Sequence, residues 1–217
     1  MGDNNNEKKN IYLIISKTPT KFAKCIRKIG RQKYNHVAIA LDDDFRRVYA
    51  FARVKHKAFL VAGLVRESVD RYTLKSNREV PIVAFRISVT KEEHKQICEK
   101  LTTVLEDPEY MYNLFAVLTH PLIKGFGLYK AFTCVEFASY IMRDYGYLDK
   151  KPACKYTPDD LLVELKDNIV YEGDVRKIMS DEYEGAEYFA PFTWDNMIKS
   201  VTNVCRLIGR VCYNKGV

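Results

Sequence analysis

The stretch KYNHVAIALDDDFRRVYAFAR, residues 33–53, predicts two β-strands joined by an acidic turn. The three aspartates at 42–44 indicate a solvated hairpin tip rather than a cation site. His36 opens the first strand, and it is either a packed core histidine or a general base with open space beside it. Side chains alternate along a strand, so two faces are expected, with Val37, Ile39 and Leu41 on one and His36, Ala38 and Ala40 on the other.

A second stretch, FTCVEFASYIMRDYGY (residues 132–147), predicts a helix that begins at a cysteine. Thr133 is a good N-cap, apolar residues then recur at helical spacing, and Gly146 ends the helix. Cys134 therefore lies in the first turn, where unpaired backbone amides and the helix dipole favour a thiolate. A small core residue would also fit there, but the position favours a functional thiol.

The other five cysteines lack this placement. None forms a C-x-x-C pair and their spacing fits no zinc site, so we expect neither a metal nor a cofactor. Four lie in amphipathic helical patterns and one lies in a loop, which indicates small apolar filler or exposed thiols. They are Cys25, Cys98, Cys154, Cys205 and Cys212.

The composition predicts one substantial folded domain. The chain has 217 residues, 47% of them hydrophobic, and a formal net charge of +7. Basic and acidic residues are interspersed, without the dense basic patch typical of nucleic-acid binding, so no nucleic acid is expected as a partner. The polar start lacks the apolar core of a secretory signal and no run of 18 apolar residues occurs, so we expect a cytoplasmic protein with reduced thiols.

The remaining sequence predicts strands and helices between these motifs. The first ten residues are expected to be a disordered polar tail. Strands are expected at 11–16, 81–88 and 168–173, helices at 20–30, 91–106, 110–121 and 157–168, and loops at 55–80 and 122–132. Of the other histidines, His56 and His94 are interpreted as solvated, and His120 is assigned to a helix end.

The last predicted helix, residues 194–213, is amphipathic and basic. Lys199, Arg206 and Arg210 lie off its apolar stripe, a pattern that suits either docking on the same domain or contact with a membrane surface. Docking on the domain is the favoured interpretation. The stripe consists of Met197, Val201, Val204, Cys205, Ile208, Val211 and Cys212.

In their order along the chain, these motifs resemble the circularly permuted NlpC-type papain-like cysteine hydrolases, a group that includes YiiX-like and lecithin:retinol acyltransferase-like proteins. In ordinary papain-like folds the cysteine helix precedes the histidine strand, whereas here His36 precedes Cys134. The likeness covers residues 11–173 and leaves 174–217 as a C-terminal extension. It is carried by YNHVAIALDDDFRRVYAFAR, AGLVRES, YMYNLFAVL, FTCVEFASYIM and YTPDDLL.

The resemblance implies an α+β, papain-like fold, in which a small antiparallel sheet packs with helices and the nucleophile opens one of them. It implies Cys134 as the nucleophile and His36 as its base. The small side chains of Ala38 and Ala40 would leave room for the helix end to approach. A third group should orient the imidazole.

Two residues are candidates for that orienting group. Tyr49 is the polar residue on the partner strand, but its face depends on hairpin register. Glu67 is the alternative, from the following loop. Asn35 and Glu136 lie close in sequence to His36 and Cys134, and the sequence does not predict which way their side chains point.

The expected function is that of a thiol-dependent hydrolase or acyltransferase acting on an amide or ester bond, with a peptide, a peptidoglycan fragment or a lipid as substrate. A catalytically inactive fold that serves as a binding module is the alternative, as is peripheral membrane contact through 194–217. Arg53, Arg66 and Lys124 are interpreted as surface charges, with recognition of an acidic substrate as the other reading. The sequence predicts no oligomeric state.

Overall fold

The structure, a computed structural model, describes residues 8–58, 60–179 and 186–213 and has an α+β fold. Its strands are β1 (Lys8–Ser16), β2 (His36–Ala40), β3 (Val48–Arg53), β4 (Ala62–Arg66), β5 (Pro81–Thr90), β6 (Met111–Tyr112), β7 (Ala131–Phe132) and β8 (Ile169–Asp174). Its helices are α1 (Lys21–Gly30), α2 (Val69–Thr73), α3 (Lys91–Glu106), α4 (Leu114–Ile123), α5 (Cys134–Asp144), α6 (Pro158–Glu164) and α7 (Trp194–Tyr213).

Six of the strands form one sheet in the order β4-β3-β2-β1-β5-β8, and every neighbouring pair in it is antiparallel. The run IYLII of β1 is buried on both faces, because β1 lies inside the sheet and both faces are covered. The two short strands β6 and β7 form a separate parallel pair, in which β6 directly precedes α4 and β7 directly precedes α5.

The sheet separates two apolar cores. The first core contains Val37, Ile39 and Phe51 and is covered by α3 and α5. The second core contains Ala38 and Ala40 and is covered by α2 and by the segment 175–179. The expectation that Ala38 and Ala40 make room for the cysteine helix is therefore wrong, because α5 packs on the opposite face.

Helix α5 is fixed at its start by a capping box. The Thr133 hydroxyl accepts from the Glu136 amide at 3.1 Å, and the Glu136 carboxylate accepts from the Thr133 amide at 3.2 Å. One turn further on, the Phe137 ring packs 4.9 Å from the Phe51 ring on the sheet. The cap and this aromatic contact together set the position of Cys134 against β2.

Several sequence predictions are wrong in detail. Lys8–Asn10 belong to β1 rather than to a disordered tail, while residues 1–7 lie outside the described residues. The segment 55–80, predicted as a loop, contains β4 and α2. Helix α4 does not stop at Pro121 but continues to Ile123.

The remaining histidines are also less solvated than expected. His94 is half-buried, and its Nε2 lies 2.9 Å from the Leu41 carbonyl oxygen. His56 packs against the rings of Tyr188 and Phe189, with centroid distances of 5.6 and 6.1 Å. His120 lies in the last turn of α4, as predicted.

Two described segments after residue 173, residues 175–179 and helix α7, pack on the rest of the fold. Val175 and Met179 join the second core. Helix α7 docks through a face that includes Ser200 and Leu207. The Arg210 guanidinium donates to the backbone carbonyls of residues 109, 129 and 130. None of the described helices combines the length and the apolar character needed to cross a bilayer.

The predicted apolar stripe of α7 does not make this contact. Most of it faces solvent, because the buried side chains of the helix are Asn196, Ser200 and Leu207. The expectation that the stripe docks on the domain is therefore wrong. The exposed members are Met197, Val201, Cys205, Ile208, Val211 and Cys212.

Candidate active site

The structure brings His36 and Cys134 together. His36 is the first residue of β2, Cys134 is the first residue of α5, and both line one cavity of about 130 Å³. The Cys134 side chain is buried, and backbone amides of Val37 and Val135 donate to its sulfur. The sulfur therefore lies at the amino end of α5, where amides and the helix dipole favour a negative charge.

The two side chains shift each other's pKa. Burial alone would lower the pKa of His36 and raise that of Cys134, because it disfavours the charged forms. Hydrogen bonding between the groups, together with the attraction between their charges, outweighs burial. This pairing, together with the hydrogen bond and negative charge of Glu67, raises the pKa of His36 to about 10. The pairing also lowers the pKa of Cys134. The pair therefore favours thiolate and imidazolium at neutral pH.

Glu67 lies on the other side of the imidazole. Its Oε1 is 3.1 Å from His36 Nε2, and its Oε2 accepts from Arg71 Nε at 2.7 Å. Burial would raise the pKa of Glu67, but the Arg71 charge and the hydrogen bond to His36 lower it to about 2. Since Nε2 faces this carboxylate, Nδ1 is the ring nitrogen that remains for the thiol.

Tyr49, Asn35 and Glu136 make other contacts than one with the imidazole. Tyr49 pairs with Ile39 and packs in the first core, so the register places it on the sheet face opposite to His36. Of the two candidates, Tyr49 therefore does not face the imidazole. Asn35 is hydrogen-bonded to Thr18: its Oδ1 accepts from the Thr18 amide, and its Nδ2 donates to the Thr18 hydroxyl. Glu136 belongs to the capping box of α5.

Three residues of the site were missed by sequence reasoning. Arg71 holds Glu67, and the Tyr72 ring meets the His36 ring edge-on at 5.8 Å. The Tyr112 hydroxyl contacts Cys134, and burial followed by the nearby thiolate raises the pKa of Tyr112 well above its ordinary value. The sequence did contain a signal for this contact, because a Glu and an Arg four residues apart, at 67 and 71, have the i,i+4 spacing of an ion pair.

A second cavity, of about 140 Å³, meets the first at Cys134. Cys134, Tyr112, Phe22 and Ile26 line both cavities, so the sulfur lies where they join. The cavity space therefore extends to either side of the sulfur. Most of the lining is apolar.

The three candidate cations have different surroundings. Arg53 lines the first cavity and is half-buried, so its interpretation as a surface charge is wrong. Arg66 lies at the far end of the β3–β4 pair, where its guanidinium donates to the Arg46 carbonyl. Lys124 is exposed and ends α4.

Comparison with family models, with curated protein sequences and with solved structures returns no match to this chain. A buried nucleophile, an imidazole beside it and a carboxylate behind the imidazole form the arrangement used in nucleophilic acyl chemistry.

Proposed function

We propose that the protein is a thiol-dependent hydrolase or acyltransferase that acts on an amide or ester bond, on a circularly permuted papain-like fold. The observation that carries the proposal is the continuous contact from Cys134 through His36 to Glu67 in one cavity. Each member has the charge state that its role requires.

In the proposed reaction, the Cys134 thiolate attacks the acyl carbon and a carbon–sulfur bond forms. The imidazolium of His36 gives its proton to the leaving amine or alcohol, which leaves a thioester on Cys134. Water or another acceptor then attacks the thioester, and His36 takes the proton of that nucleophile. Release of the acyl product restores the thiolate.

Tyr112 is suited to stabilise the charge that develops on the acyl oxygen. Its hydroxyl contacts Cys134, and its raised pKa keeps the proton in place for donation. Hydrogen-bond donors at this position, together with the amides at the start of α5, favour the tetrahedral intermediate over the flat substrate.

The presence of Glu67 favours catalysis over the alternative of an inactive binding module. Loss of the orienting residue would be the signature of such a module, and Glu67 occupies that position with both carboxylate oxygens paired. The substrate classes that share the required acyl group remain a peptide, a peptidoglycan fragment and an acyl lipid.

The proposal predicts a covalent acyl-enzyme. With p-nitrophenyl butyrate, an activated ester, we expect a burst of one nitrophenolate per chain and a butyryl group on Cys134, located by mass spectrometry. Cys134→Ser and His36→Ala should lose the burst, while Cys154→Ser should keep it. Equal acylation of several cysteines, or a burst that survives in Cys134→Ser, would exclude this function.

We further propose that the exposed face of α7 contacts an anionic membrane surface. This face carries Trp194, which is 77% exposed, and Ile198 and Val201 beside it. Nearby α1, which lines the active-site cavity together with α7, has basic and no acidic residues. An apolar helix face near a basic helix matches a bilayer with anionic headgroups.

Trp194 is the sole tryptophan of the chain and reports on this contact. Vesicles of phosphatidylcholine with about one-third phosphatidylserine should shift its emission to shorter wavelength, and added salt should reverse the shift. Ile198→Asn should lower the affinity for vesicles, measured by co-sedimentation, about tenfold, because the bilayer no longer buries an aliphatic side chain at this position. Val163→Asn, at an exposed apolar position on α6, should not. A shift that depends on protein concentration without vesicles would instead indicate self-association.

A further inference from the structure

Arg53 has a different environment from the other charged residues of the cavity. It ends β3, two residues after Phe51, and therefore lies on the sheet face against which α5 packs. Its Nη1 donates to the His56 carbonyl at 3.1 Å and its Nη2 donates to the Tyr188 hydroxyl at 3.2 Å. Both acceptors are uncharged, so these bonds position the guanidinium and leave its charge uncompensated.

The other charges around the cavity are balanced. Glu67 is paired with Arg71 at 2.7 Å and with His36 at 3.1 Å, and the Cys134 thiolate balances the imidazolium. Across the residues that the structure describes, Arg53 has no carboxylate at ion-pair distance. The described residues that line the cavity therefore carry about one net positive charge between them.

This charge acts on the reacting groups. Burial raises the pKa of Tyr112, the residue whose hydroxyl contacts Cys134, and the charge of Arg53 acts on that pKa in the opposite direction. Arg53 has the same lowering influence on the pKa of Tyr188, which burial raises. The positive field of Arg53 thus reaches the space beside the sulfur.

A guanidinium in a largely apolar cavity is unfavourable unless an anion accompanies it. Its planar donors match a carboxylate, and a single positive charge matches a monoanion better than a phosphate dianion. We propose that Arg53 forms a subsite for a carboxylate carried by the acyl substrate. This inference rests on the proposed acyl chemistry at Cys134 and assigns an acidic character to its substrate.

Two alkylating reagents of similar size test this subsite. Iodoacetate carries a carboxylate, iodoacetamide is neutral, and both form a carbon–sulfur bond with release of iodide. Arg53→Met should slow alkylation of Cys134 by iodoacetate about fivefold and by iodoacetamide less than twofold. Arg53→Lys should keep most of the iodoacetate rate, because it keeps the charge.

Arg66→Met is the matched control, since it removes the same charge from the same pair of strands outside the cavity. It should leave both rates unchanged. Equal slowing of both reagents in Arg53→Met would assign Arg53 a structural role only, and no slowing, or an equal effect of Arg66→Met, would also overturn the subsite. By contrast, wild-type Cys134 that reacts with iodoacetamide no faster than Cys154 would overturn the proposed function itself.

Discussion

Glu67→Gln is expected to lower the free energy of unfolding by about 3–5 kcal/mol, because it removes one partner from a buried ion pair. The Arg71 side chain is only 6% exposed, so in this variant its positive charge has lost the carboxylate of Glu67 and is not solvated by water instead. Urea unfolding at neutral pH measures the difference. Glu172→Gln is the matched control, because Glu172 faces Lys33 in an exposed pair and its loss should cost less than about 1 kcal/mol.

The same variant has a defined pH dependence. The pKa of Glu67 is lowered to about 2 in the folded protein, from an ordinary value of 4.5. Its ionisation therefore stabilises the fold fully above about pH 4.5, and this contribution is lost as the pH falls towards 2. The difference in free energy of unfolding between wild type and Glu67→Gln should become smaller as the pH falls through that range. A difference in unfolding free energy that does not change with pH would contradict the pairing of Glu67 with Arg71 and His36. So would a difference as small as that for Glu172→Gln.

A second large effect is expected at His36. His36→Ala should slow iodoacetamide alkylation of Cys134 by about 100-fold or more near pH 6, because an unpaired thiol with a pKa of about 8.5 or above is almost fully protonated there. Alkylation followed by peptide mass spectrometry measures the rate at each cysteine. The half-buried Cys154 should react at the same rate in both proteins.

His94→Ala is the control for that experiment. His94 Nδ1 lies 3.7 Å from Cys98 Sγ, so this variant also removes a histidine beside a cysteine. It should leave the rate at Cys134 unchanged. If His94→Ala and His36→Ala slowed Cys134 equally, the loss would reflect general destabilisation rather than the pair.

The residues of the pair were predictable because each one opens a local element. Thr133 as an N-cap and the helical spacing of the apolar residues after it placed Cys134 at a helix start, and strand alternation placed His36 at the head of β2. The orienting group was not predictable in this way. Choosing between Tyr49 and Glu67 required the β2–β3 register, which is a non-local property.

The missed elements have a similar cause. Strand β4 and helix α2 have five residues each, and such short segments carry little periodic signal. The pattern of α7 shows that an apolar face exists, but not what covers it. The helix docks instead through Asn196, Ser200 and Leu207, two of them polar, which hydropathy alone does not indicate.

The central claim is that Cys134 rests as a thiolate beside a protonated His36. Ultraviolet absorbance of the thiolate, titrated with pH and corrected by subtracting Cys134→Ser, measures this most directly. The account predicts a Cys134 thiol pKa well below the ordinary value of about 8.5, rising above it in His36→Ala. A wild-type Cys134 that titrates at or above about 8.5, unchanged in His36→Ala, would contradict it.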